Sequence, residues 1–182
     1  MSHAVPVAGD ETSTLLATLE RNRRTFAWRC AGLDAAGLRA TTAASTLTLA
    51  GLLKHLALVE DHYFTHLLHG RQLPPPWDVV DFDADPAWEF RTALDDDPDD
   101  LRALWLASVR RSRAATDEAL ASGGLDHEWA TWRRDGVAPS LRRLLVDMIE
   151  EYARHTGHAD LLREAVDGET GEVPPTDFPW DS

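Results

Sequence analysis

The chain has 182 residues, enough for one domain of ordinary size whose core needs no covalent staples. Its 31 acidic residues outnumber 18 basic ones for a net charge of −13, so it lacks the basic face that nucleic acid or anionic lipid would demand. The single cysteine, Cys30, excludes an intrachain disulfide and a cysteine-based zinc ribbon, and no apolar run nears the roughly 20 residues that span a bilayer.

Met1 to Asp10 has neither the basic nor the apolar part of a secretory leader, so a cytoplasmic location is expected. The first predicted helix runs from Glu11 to Ala31, with Leu15, Leu19, Asn22, Phe26 and Cys30 recurring at steps of three and four, and Gly32 stops it. The second runs from Leu47 to His69. Thr46 or Thr48 caps it, Gly70 ends it, and Leu49, Leu52, Leu56, Val59 and Tyr63 form its stripe. His55 lies beside that stripe, and His62, His66 and His69 read as a solvated histidine-rich edge of the same face.

Arg71 to Asp97 is proline-rich and acidic and carries Trp77, Phe82, Trp88 and Phe90. It is too long for a plain connector and is expected to pack as a lid or to hold a short helix. Asp97 and Pro98 open the third helix, which stops at Gly123-Gly124. Its stripe of Leu101, Leu104, Trp105, Ser108, Ser112 and Ala115 narrows to small residues. A loop with Trp129 and Trp132 leads to the fourth helix, Pro139 to Val166, ended by Gly168. Four amphipathic helices without convincing strands predict an all-α four-helix bundle with long irregular loops. The whole of 1–182 reads as a single domain, with the bundle over 11–168 and an extended tail over 169–182. The long loop between the second and third helices has room for a crossover connection.

The fourth helix carries the chemistry. Its seam reads Leu141, Leu144, Met148, Glu151, His155, His158, Leu162, a bundle-core stripe holding one carboxylate and two imidazoles in its middle. Three adjacent polar groups there are costly unless paired or bound to metal. Glu151 and His155 are i, i+4, and His155 and His158 are i, i+3. Either pair sets two ligand atoms on one helix face, one turn apart. His55 of the second helix is the natural third partner. Three protein ligands leave coordination positions open, as a catalytic metal requires. Glu151 reads equally well as a group that orients an imidazole. Cys30, on an apolar stripe, reads as a buried, inert thiol.

The segments Gly51-Leu-Leu-Lys-His55-Leu-Ala-Leu-Val-Glu60 and Ile149-Glu-Glu-Tyr-Ala-Arg-His155-Thr-Gly-His158-Ala-Asp160-Leu-Leu-Arg-Glu164 resemble the DinB/YfiT-like metalloprotein superfamily. They are most similar to its actinobacterial branch, which includes mycothiol-dependent enzymes. Phe26-Ala-Trp28-Arg-Cys-Ala-Gly-Leu33 and Val166-Asp-Gly-Glu-Thr-Gly171 are similar too, so the likeness extends from residue 11 to residue 171. The resemblance implies a four-helix bundle holding a divalent metal through one histidine of the second helix, matching His55, and two residues of the last long helix. That pair is often His-x-x-x-His or Glu-x-x-x-His. Position 159 is Ala, so the first form is absent, and the third ligand stays open between Glu151 and His158 while His155 serves in either case. Zinc is the first expectation, with nickel or iron as alternatives.

The resemblance further implies a metal-dependent thiol S-transferase that joins a low-molecular-weight thiol, mycothiol-like, to a small electrophile, with a homodimer as an expected assembly. Arg154 is a candidate contact for a polar cosubstrate. Trp77, Trp88, Trp129 and Trp132 are candidates to wall a pocket. The rival readings are a hydrolase using metal-bound water, with Glu151 as general base, and a non-catalytic metal-binding stress-response bundle.

Overall fold

A computed structural model describes residues 5–43 and 45–181. Met1–Ala4, where the leader reading begins, Ala44, and Ser182 at the end of the tail lie outside the described residues. The helices are α1 (Glu11–Cys30), α2 (Ala35–Arg39), α3 (Leu49–Glu60), α4 (Trp88–Thr92), α5 (Pro98–Gly123) and α6 (Leu141–Asp167). No β-strand is present among the described residues. Side-chain caps start the long helices as local chemistry dictates: Asp10 for α1, Thr48 (not Thr46) for α3, Asp97 with Pro98 for α5, and Ser140 for α6. Gly168, at φ 77°, ends α6 in the left-handed conformation that favours glycine.

Cross-helix bonds fix the topology. Glu11 meets Arg142, Asn22 meets the Ile149 carbonyl, and the Ala31 carbonyl meets Arg163, so α1 and α6 run in the same direction. Asp61 meets Ser108 and Arg111, and His69 meets the Ala115 carbonyl, so α3 and α5 are also parallel. Glu20 meets Arg113 while the Cys30 carbonyl meets Arg102, which sets the two pairs antiparallel to each other. Two consecutive helices can be parallel only if the chain returns along the bundle between them. The 68–87 segment and α4 make that crossover.

The core draws Leu19, Phe26 and Cys30 from α1, Leu49, Leu52 and Leu56 from α3, Leu101, Trp105 and Val109 from α5, and Leu141, Leu144 and Met148 from α6. Each large apolar side chain so buried contributes about 2 kcal/mol. The predicted stripes hold, with one rotation. Along α6 the fully buried positions continue as Tyr152 and Ala159, and Glu151, His155 and His158 sit at the edge of the core. A straight helix of 3.6 residues per turn drifts off a strict seven-residue seam, and that drift carries the polar trio toward the rim.

Two buried acids at the end of α3 organise the centre. Glu60 takes a bidentate pair from Arg23 (2.7 and 2.6 Å) and a bond from the Tyr152 hydroxyl (2.7 Å), which in turn accepts from Trp105 Nε1 (2.9 Å). Asp61 accepts from Trp77 Nε1, Ser108 and Arg111. Beyond them the helix widens into a π-helical turn, Asp61–Leu67, whose extra residue rotates His62 and Tyr63 away from the α-helical register.

Candidate metal centre and adjoining cleft

His55 stands on α3, nearly two turns before the π-helical segment, and Glu151 and His155 stand one turn apart on α6. His55 Nε2 lies 3.2 Å from Glu151 Oε1, and His155 Nε2 lies 3.1 Å from the same oxygen. The three side chains offer ligand atoms that all lie within 4.8 Å of one another. They are neither fully buried nor open: side-chain exposure is 19% for His55, 25% for Glu151 and 12% for His155. Two imidazoles and one carboxylate suit zinc, nickel or ferrous iron, so the donor set fits a divalent transition metal.

The other nitrogen of each imidazole is engaged as well. His55 Nδ1 lies 3.2 Å from Glu89 Oε1, a carboxylate on α4 that is only 5% exposed. His155 Nδ1 lies 3.3 Å from His158 Nδ1. Partners on Nδ1 fix the tautomer and aim Nε2 at the centre. Phe90, next to Glu89, stacks on the His55 ring at 4.8 Å between centroids. Gly51 permits this approach of α4, because a Cβ there would come within 3.0 Å of the Phe90 ring.

Burial disfavours the charged imidazole of His55, but Glu151 and Glu89 outweigh it and raise its pKa to about 9. Hydrogen bonds from His155 and then His55 hold the Glu151 carboxyl well below the usual carboxylate range.

A cleft of about 720 Å³ opens one helical turn along α6 from Glu151. Tyr63, Trp129 and Trp132 wall it, and Arg143 and Asp147 of α6 floor it, Asp147 lying one turn before Glu151. Burial, then the Asp147 and Glu151 carboxylates, raise the pKa of the Tyr63 hydroxyl.

Comparison with known proteins agrees with this arrangement. The family model described as mycothiol-S-transferase matches residues 14–168. The chain belongs to the mycothiol-S-transferase family. No curated protein and no solved structure matches it. The family is DinB-like and its name ties it to mycothiol, and the His55, Glu151 and His155 group is a candidate metal site. No helix among the described residues is long and apolar enough to cross a membrane.

Other residues singled out in the sequence have separate places. Trp129 and Trp132 line the cleft, whereas Trp77 and Trp88 pack edge-to-face on each other in the crossover. His62 reaches the cleft, His66 bonds the Arg71 carbonyl, and His69 bonds the Ala115 carbonyl. Arg154 is exposed and pairs with Glu150 (2.9 Å) on the outer face of α6, away from the centre. Cys30 is 1% exposed, and burial pushes its thiol up to about 12. Glu89 is the site residue that sequence reasoning missed. Its only local signal was an acid beside two aromatics, Trp88 and Phe90, inside a segment read as a lid.

Proposed function

We propose that the protein is a divalent-metal-dependent thiol S-transferase. His55, Glu151 and His155 are the metal ligands in this reading, and a mycothiol-like thiol and a small electrophile are the substrates. The observation that carries it is the convergence of these three donors within 4.8 Å at the edge of an aromatic cleft. His55, Glu151 and His155 would hold a divalent ion, which when bound would supply the Lewis acidity that keeps a thiol deprotonated near neutral pH. Glu89 and His158 hold the two imidazoles with their Nε2 lone pairs inward. That gives His158 a positioning role and gives Glu151 the place of third ligand. Phe90 covers His55 and keeps water from its outer face. The cleft receives the second substrate.

The hydrolytic reading draws less support, because Glu151 is held by both imidazoles and no longer stands free to take a proton from water. A purely structural metal would call for a fourth protein donor in the cluster, and the fourth imidazole nearby bonds His155 instead. The test is consumption of mycothiol with a panel of electrophiles, comparing metal-loaded with chelator-stripped protein. The proposal expects metal-dependent loss of free thiol and a matching thioether product. Turnover that ignores the thiol would refute it.

A further inference from the structure

The cleft beside the metal centre has walls that are already in place. Trp129 is buried, packs edge-on against Tyr63 (5.9 Å) and lies tilted against Trp132 (6.1 Å). Its indole nitrogen bonds the Ser140 carbonyl, and its backbone nitrogen bonds Pro139. The next residue ties to the end of the π-helical turn, Ala130 N to Leu67 O at 3.0 Å. Beyond Trp132 the loop closes as a two-residue hairpin. Arg134 and Val137 exchange two bonds of 2.9 Å around Asp135 (φ 52°) and Gly136 (φ 81°), the conformation such a turn demands. Trp132 itself is 45% exposed, a large aromatic face left to solvent at the mouth.

The charges in this cleft cancel. Arg143 pairs with Asp147 at 2.6 Å, and Arg134 is followed directly by Asp135. In a protein of net charge −13, a cleft with as many arginines as aspartates selects for neither sign. Three aromatic faces, no surplus charge and a preformed wall describe a seat for a flat, uncharged ring.

We propose that this cleft seats the electrophile and that the electrophile is a neutral, planar, conjugated molecule. The inference rests on the transferase reading and specifies its second substrate. Asp147, which lines the cleft, is one helical turn before Glu151, so the cleft opens on the same face of α6 as the proposed metal ligand. For an aryl halide, the sulfur forms a bond to the ring carbon while the carbon–halogen bond breaks, and the halide leaves with the electron pair. The thiol proton has already passed to solvent.

The test uses the metal-loaded protein and two unreactive probes, 2,4-dinitrotoluene and the anionic 2,4-dinitrobenzoate, with binding measured by calorimetry in the absence of thiol. The neutral ring should bind about tenfold more tightly. Trp132→Ala should weaken it about tenfold, the worth of one good aromatic pair, while helicity and bound metal stay unchanged. With 1-chloro-2,4-dinitrobenzene and mycothiol, the same variant should raise KM for the electrophile and leave KM for the thiol unchanged. Equal binding of the two probes overturns the proposal, as does a change confined to the thiol's KM, which would make the cleft the thiol's seat. Selective binding of the neutral ring without any thiol transfer would refute the transferase reading. It would also overturn the assignment of the ring as electrophile.

Discussion

Metal binding should be strongly pH-dependent, and His55 sets the dependence. In the metal-free protein its two nitrogens face Glu89 and Glu151, each at 3.2 Å. The carboxylates outweigh burial and raise its pKa from 6.5 to about 9. A proton and a metal ion cannot share Nε2. At pH 7 the imidazole is about two units below its pKa, so the proton suppresses apparent affinity about 100-fold, or about 2.7 kcal/mol. Affinity should rise about tenfold per pH unit from 7 to 9 and level off above. The metal-free fold behaves oppositely. A folded pKa raised above the unfolded value stabilises fully below about pH 6.5, and that contribution, about 3 kcal/mol at most, is lost as pH rises through about 9. The assay is competition for zinc against a chromophoric chelator across this range, with calorimetry in buffers of different ionisation heat to count released protons. A flat affinity profile with no proton release between pH 7 and 9 would refute the argument.

Glu89→Gln keeps the shape of the contact to His55 but removes its charge, and should weaken metal binding about tenfold above pH 9. Near neutral pH the loss should be smaller, because the imidazole then surrenders its proton more easily; the same chelator competition reads both. Glu60→Gln removes the buried counter-charge of Arg23, leaving only the partly exposed Glu20, and should cost about 3 kcal/mol in denaturant unfolding. The triple variant Arg23→Met, Glu60→Leu, Tyr152→Phe, which also removes the hydroxyl that donates to Glu60, should recover most of that loss. Cys30 should resist maleimide in the native state near pH 8 and react only as the protein unfolds; rapid native labelling would contradict its burial.

The long helices were legible because their signals are local. Apolar residues at steps of three and four marked α1, α3, α5 and α6, and Thr48, Asp97 and Gly168 marked ends that the structure keeps. His55 and His155 were legible because imidazoles beside an apolar stripe are costly without a partner. What was not legible depended on contacts distant in sequence. Nothing local in the sequence marks Glu60 and Asp61 for burial; Arg23 and Arg111, from other helices, make them interior residues. Their burial accompanies the π-helical turn, which no periodicity announces. The choice between Glu151 and His158 as the proposed third ligand turns on a rotation of one position along α6. Strict seam counting put both in the core, whereas the actual pitch sets Glu151 toward His55 and turns His158 onto the far nitrogen of His155. Glu89 lay in a segment whose helix is a single turn, too short to show a pattern.

The most direct test of the account is the metal content of wild type and of His55→Ala, Glu151→Ala, His155→Ala and His158→Ala, measured by elemental analysis after loading with zinc and gel filtration. The account predicts about one ion per chain in wild type, loss in the His55, Glu151 and His155 variants, and retention with weaker binding in His158→Ala. An empty His158→Ala protein beside a loaded Glu151→Ala protein would contradict it.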